Sequence, residues 1–440
     1  MTDSDTKAPR ESSHRFILGA LLAAVCVGIM LRFIGDDAGA ILQGLRDAVL
    51  VVCDIVGKLF LRLLKMVIVP LVFGSVAMAI IGIDPRHLGR LGAWTVAFFL
   101  GTTALAAALG LGAVLLTQPG ANVDPPACET SADCPARFAC ENGSCIPDGV
   151  QPPAVSDIFL NIVPDNPIAS MAAKFDLPGV IFFAIILALG VLYSGEAGEP
   201  LRRFLDSLTT VMNRVTAWVM RGAPIGIFGL VVKVVYSTGL DALYSVGTYA
   251  LTVAGALLVH GLILLPLLVL LLGRTNPLRV IAGASPALLT AFSTASSSAT
   301  LPLTRDCTEH RIGVSPHITN FVLPLGATVN MNGTALYEAV AALFIAQAYG
   351  IDLTLGQQAI VVLTSILAAV GAAGIPSAGL VTLIIVLNAV GLPLEGIALL
   401  LTVDRLLDMM RTTLNVWGDV CGAVIVDARE KARLSAATPT

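Results

Sequence analysis

Between residues 404 and 419 the chain carries Asp404, Asp408, Arg411, Asn415 and Asp419, separated by four, three, four and four positions. On a helix at about 100° per residue, with Asp404 at 0°, Asp408 falls at ~40°, Arg411 at ~340°, Asn415 at ~20° and Asp419 at ~60°, an arc of about 80°. Most of the residues around them are leucine, valine and methionine. Ionisable groups inside a bilayer are rare and mark ion or substrate paths. Three acids against one base leave an excess of negative charge, which calls for bound cations. The stripe therefore reads as a site for an anionic guest and companion cations; the competing reading is an ion-pair network that only fixes helix packing. Arg405 lies ~100° from Asp404, off the stripe, and is assigned no role.

A second polar cluster, "NMNGTALYEAV", occupies 330–340. Two asparagines beside Gly333 suggest local unwinding, and freed carbonyls with amide oxygens make an oxygen shell suited to an alkali cation. Asn330, Thr334 and Glu338 share a face if helical. Glu338 is a lone carboxyl among apolar residues and a candidate proton carrier. Two apolar segments are interrupted at their middles: 285–304 by a serine-threonine run, 364–387 by Gly374, Pro376, Ser377 and Gly379. Each half is too short to cross a bilayer, so both read as re-entrant hairpins, tolerated only where protein or a water-filled cavity satisfies the backbone. Repeated broken segments point to a transporter binding site. Ser296, Ser297 and Ser298 sit where a half-helix begins, and its free N–H groups attract a carboxylate.

These elements belong to a membrane chain. Of 440 residues, 56% are hydrophobic and only 13% charged, against about a quarter charged in soluble domains; the mean hydropathy is +0.86. Several stretches approach the roughly 20 apolar residues that span a bilayer. Approximate spans are 16–35, 45–82, 91–117, 209–236 and 243–273, with a proline-broken region at 155–196. The net charge of −4 implies no nucleic-acid partner. Basic residues near the N-terminus, at Arg86 and Arg90, at Arg274 and Arg279, and at Arg429, Lys431 and Arg433 place both termini in the cytoplasm by the positive-inside rule. The first span reads as a retained helix, not a cleaved signal. Cys128, Cys134, Cys140 and Cys145 crowd a polar segment that then falls outside, where two disulfides of unknown pairing are the expectation and a zinc site the rival. Cys26, Cys53, Cys307 and Cys421 read as free. No serine nucleophile motif is present, so enzyme activity is not expected.

Long segments carry a resemblance. "SSSATLP", "LPLGATVNMNGTALYEAVAALFIAQ", "GAAGIPSAGL" and "VDRLLDMMRTTLNVWGD", together with "LFLRLLKMVIVPLVF" and "DIFLNIVPDNPIASM", resemble the glutamate transporter family, the dicarboxylate/amino acid:cation symporters. The likeness covers nearly all the chain except the termini and the cysteine-rich insert. It implies an all-α polytopic membrane protein with eight transmembrane helices plus two re-entrant hairpins, a homotrimer, and elevator-type transport. The implied division is a cytoplasmic tail at 1–15, scaffold helices at 16–90 and 155–240, a transport domain formed by 91–117 and 241–428, an extracellular insert at 118–154, and a cytoplasmic tail at 429–440.

The resemblance also implies roles. Asp408 would hold a substrate amino group and Arg411 a side-chain carboxylate, with Asn415, Thr334, Ser297 and the second tip near Ile375 and Gly379 completing the substrate site. Sodium sites would use Asp419, Asn330, Asn415 and Gly326; Thr328 with carbonyls near Ala369, Val370 and Ala372; and Thr102, Thr103, Asn330 and Asn332. Neutral amino acid members lack the arginine, and dicarboxylate members lack the amino-binding aspartate, so both together point to L-glutamate or L-aspartate. Asn332 stands where sodium-coupled members have aspartate, removing one negative charge from the third site. Ala295 and Met409 stand where archaeal and animal members, respectively, place a second arginine. Glu338 matches the proton-carrying glutamate of animal members. The expectation is uptake of an acidic amino acid across the cell membrane coupled to Na+ and/or H+, with no cofactor. A C4-dicarboxylate symporter, or an anion channel or receptor on the same scaffold, is the alternative.

Overall fold

The computed structural model describes residues 11–34, 39–81, 90–121, 138–141, 144–147, 163–172, 177–238, 240–371 and 378–437. Almost all of this is helix. One group of helices comprises α1 (Glu11–Phe33), α2 (Ala40–Ile81), α5 (Leu177–Tyr193), α6 (Glu199–Arg221) and α7 (Ala223–Thr238). Here α2 is the hub, packing on α5, α6 and α7, while α1 also lies on α7. Contact is close because small residues face partner backbones, as between membrane helices generally. A Cβ on Gly229 would come within 2.5 Å of the Cys53 carbonyl oxygen, and one on Gly28 within 2.8 Å of the Val235 Cβ. The short α4 (Pro167–Ala172) leans on α5.

The second group holds the polar clusters. It comprises α3 (Arg90–Thr117), α8 (Leu240–Val259), α9 (Leu265–Leu272), α10 (Pro277–Thr294), α11 (Ser297–Asp306), α12 (Pro316–Val329), α13 (Asn332–Ala348), α14 (Leu355–Gly371), α15 (Ala378–Ala389) and α16 (Ile397–Ala437). At its centre, α13 packs on α3, α8, α14, α15 and α16 and is buried on every face from Asn332 to Ala346. A helix covered all round needs no polar side. α8 and α9 are joined by a π turn, His260–Leu264, whose Gly261 carbonyl accepts a 2.9 Å hydrogen bond from the Trp417 indole of α16.

Two described helical stretches, Leu91–Thr117 and Tyr244–Leu272, are long and apolar enough to cross a membrane; shorter apolar helices accompany them. The expected span at 209–236 is instead two helices, α6 and α7, parted at Gly222. The reason is chemical. α6 opens with a half-buried Glu199 and with Arg202, Arg203 and Asp206 exposed, with Arg202 and Arg203 both paired to Glu199, and Pro224 lacks the N–H a continuous helix would use. The cysteine-rich segment adds the only strands among the described residues, an antiparallel hairpin of β1 (Phe138–Glu141) and β2 (Ser144–Pro147) that sets Cys140 opposite Cys145. Cys128 and Cys134 lie outside the described residues. Cys26, Cys53, Cys307 and Cys421 are free.

Candidate functional site

The first interrupted segment folds as α10, a tip, and α11. Ala295 turns the chain with φ 48°, and Ser296 caps α11 by accepting from the Ala299 amide at 3.3 Å. A left-handed non-glycine residue costs on the order of 1 kcal/mol; the Ser296 cap and the Thr300 hydroxyl, which donates to the Ser296 carbonyl at 2.8 Å, hold it. Ser297, buried, begins α11, which packs against α16. The second segment folds as α14 and α15 packed together. Its tip, with Ala372 and Ile375, lies outside the described residues.

All five members of the stripe are buried in α16: Asp404 is 3% exposed, Asp408 5%, Arg411 1%, Asn415 4% and Asp419 3%. Arg411 Nη2 lies 2.9 Å from Asp408 Oδ1 and 3.2 Å from Asp404 Oδ1. The guanidinium carbon sits 3.8 Å over the Tyr337 ring of α13, a cation–π contact. Its Nη1 has no hydrogen-bond partner. Gly379, at the start of α15, closes over that nitrogen: a Cβ there would fall 2.5 Å from it. Arg405 does have a role in this geometry, contrary to its assignment from helical angle: its Nη1 lies 3.4 Å from Asp408 Oδ2. Residues three apart are neighbours on a helix surface, so Arg405, off the stripe measured from Asp404, is nonetheless beside Asp408.

The chain unwinds between α12 and α13, at Asn330 (φ −91°, ψ 83°) and Met331 (φ −113°, ψ 51°). Sequence had placed the break at Gly333. That glycine is helical and serves close packing instead, since a Cβ on it would meet the Arg411 carbonyl oxygen at 2.7 Å. Asn415 bridges the two helices. Its Oδ1 accepts from the Gly333 amide at 2.8 Å, and its Nδ2 donates to Thr334 Oγ1 at 3.3 Å. Asn330 Nδ2 donates to Asp419 Oδ1 at 2.8 Å and to the Asn415 carbonyl at 3.3 Å, leaving its own Oδ1 buried and unpaired. Gly326 stands against the Asp419 carboxylate. A carboxylate, an orphaned amide oxygen and a main-chain break thus converge, a donor set of hard oxygens suited to an alkali cation.

Thr103 Oγ1 donates to Asn332 Oδ1 at 2.7 Å and Thr102 Oγ1 at 3.4 Å, while Asn332 Nδ2 is unpaired. This pocket contains hydroxyls and amides without a carboxylate among the contacts described. Thr328 Oγ1 donates to the Leu325 carbonyl at 2.9 Å; Ala369 and Val370 lie in the last turn of α14, which packs on α12. Glu338 is fully buried in α13, with Thr382 and Arg411 as the polar groups acting on it, and neither carboxyl oxygen meets hydrogen-bond geometry. Sequence reasoning missed Tyr337, and with it Tyr249 of α8, whose ring is 6.5 Å away. On a helix buried on every side, no periodicity singles out the face that meets the arginine.

Comparison with known proteins shows the family. Residues 14–429 match the sodium:dicarboxylate symporter family. The neutral amino acid transporter B(0) of Oryctolagus cuniculus is 40% identical over 91% of this chain and 78% of its own length. An excitatory amino acid transporter of Caenorhabditis elegans is 35% identical, covering 98% and 92%, and excitatory amino acid transporter 3 of Mus musculus is 33% identical, covering 96% and 87%. With its buried charges gathered between helices rather than around a nucleophile, the chain belongs to the sodium:dicarboxylate symporter family, the glutamate transporter family of sodium-coupled membrane carriers, which are not enzymes.

Proposed function

We propose that this chain takes up an acidic amino acid, L-glutamate or L-aspartate, in symport with Na+, with Glu338 carrying a proton. The observation that carries the reading is the buried pair of Asp408 and Arg411, 2.9 Å apart under Gly379. An α-amino acid with a side-chain carboxylate can replace that internal pair by two external ones. Its ammonium takes Asp408 and its carboxylate takes the guanidinium, which binds such groups bidentately. Asn415 and Thr334 then orient the main-chain groups, and Ser297 and the second tip close over them. One Na+ is placed at Asp419, Asn330, Asn415 and the Gly326 backbone, and another at Thr328 and the end of α14. Thr102, Thr103, Asn330 and Asn332 form the third position, with one charge fewer.

In this reading the α1, α2, α5, α6 and α7 group is the trimeric scaffold. The group around α13 and α16 slides across the membrane as an elevator, both termini are cytoplasmic, and the cysteine-rich insert is an extracellular, disulfide-linked loop. Proteoliposomes with separately imposed Na+ and H+ gradients test it: concentrative uptake of labelled glutamate or aspartate is expected. Passive flux without concentration would favour a channel, and competition by succinate but not aspartate would favour a dicarboxylate carrier. A second reading, uptake of a neutral amino acid, has one observation in its favour. Asp404, at 3.2 Å, already offers Arg411 a second carboxylate partner, so the arginine is neutralised without a guest. Labelled alanine in the same assay separates the two.

A further inference from the structure

Far from the stripe, two helix ends meet at the edge of the apolar region. The long apolar stretch of α3 begins at Leu91, which puts Trp94 in its first turn. The buried apolar run of α16 ends at Val426, and charged residues follow from Asp427 to Arg433. Here the Arg429 guanidinium carbon lies 3.3 Å over the Trp94 ring. A cavity of about 220 Å³ opens beside them, lined by Leu91, Trp94, Val426, Arg429, Glu430 and Arg433.

The charge arrangement decides what fits. Asp427 is occupied by Lys431 at 2.6 Å and by the Ser315 amide at 3.2 Å. Glu430 is occupied by Arg433 at 3.4 Å. Among the described residues Arg429 has no carboxylate at ion-pair distance. Its flat face is spent on the indole, and its edge, a fork of N–H donors, is open to an anion of phosphate geometry. Tryptophan sits by preference at the level of lipid headgroups, and basic pockets between helices on the cytoplasmic side bind acidic headgroups.

We propose that this cavity is a binding site for the headgroup of an anionic phospholipid. The phosphodiester lies on the Arg429 fork, with Arg433, whose Nη1 is shared with Glu430, adding positive charge at the rim and the Leu91 and Val426 side chains beneath the glycerol. The proposal rests on membrane residence and on the cytoplasmic placing of this helix end, and not on which amino acid is carried.

The test is native mass spectrometry of the full chain in detergent, titrated with phosphatidylglycerol or with phosphatidylcholine of the same acyl composition. Retention of phosphatidylglycerol over phosphatidylcholine is expected. Arg429→Gln should weaken phosphatidylglycerol about fivefold, and Arg433→Gln by a similar or smaller factor. Arg429→Lys, which keeps the charge without the fork, should fall between. Arg202→Gln, on α6, should change nothing and controls for the loss of any surface arginine. Equal retention of the two lipids, or phosphatidylglycerol binding that Arg429→Gln leaves unchanged, overturns the proposal. Displacement of the lipid by millimolar inorganic phosphate overturns it too, by reassigning the cavity to a soluble anion.

Discussion

One helix, α16, carries two sets of ion pairs between acidic and basic side chains. At its middle, Arg411 holds Asp404 and Asp408, and all three are at most 5% exposed. At its end, Lys431 and Arg433 pair with Asp427 and Glu430, with the basic partners more than half exposed. Of these, the Glu430–Arg433 pair resembles the surface pairs of any soluble helix, worth under about 1 kcal/mol, while Lys431 reaches from solvent to an Asp427 that is itself buried. The first set cannot be judged that way. Removing one partner of a buried pair leaves an uncompensated charge at a cost of about 3–5 kcal/mol, yet the intact pair adds little net stability. The i,i+3 spacing of Asp408 and Arg411 recurs at Glu430 and Arg433; burial of both partners separates charges held ready for a guest from charges that solubilise a helix end.

The largest effect expected from breaking this contrast is at Arg411. Arg411→Cys should lower uptake of labelled glutamate about 100-fold, the order seen when one member of a buried charged pair is cut back, and should admit neutral amino acids. Unchanged glutamate affinity would remove the arginine from the substrate site. Asp419→Asn comes next: the Na+ concentration for half-maximal uptake should rise on the order of tenfold, because cation affinity follows ligand charge. An unaltered Na+ curve would detach Asp419 from the ion. Glu338→Gln should flatten the pH profile of uptake and leave the Na+ dependence in place; a retained profile puts the proton elsewhere. The smallest effect belongs to the helix end. Arg433→Gln, which breaks the solvent-facing pair with Glu430, should cost about 0.5 kcal/mol or less in thermal unfolding and nothing in transport. A drop as large as that of an Arg411 variant would erase the distinction between the two regions.

How much of this could be read from residues alone depends on what surrounds them. The α16 stripe was visible because polar residues on a helix otherwise apolar stand out at a period of 3.6. The first hairpin tip was visible because a serine run interrupts an apolar segment, and Ser296 does cap a half-helix there. By contrast, the stack of Tyr337 on Arg411 joins helices 74 positions apart in sequence. The break at Asn330–Met331 was placed three residues late because glycine suggests unwinding, whereas Gly333 answers to the Arg411 backbone pressed against it. The parting of α6 from α7 was lost in a window average that merged an amphipathic helix with an apolar one.

The π turn at His260–Leu264, tied to Trp417, has a consequence for how this chain tolerates length changes. A turn closed from residue i to i+5 holds one residue more than an ordinary one. Deleting a single position within it should let the helix close up in regular form, with what lies on either side still in phase. The same deletion a turn earlier or later would swing everything beyond it by about 100°. Evolution or an engineer shortening this rod has one place to cut.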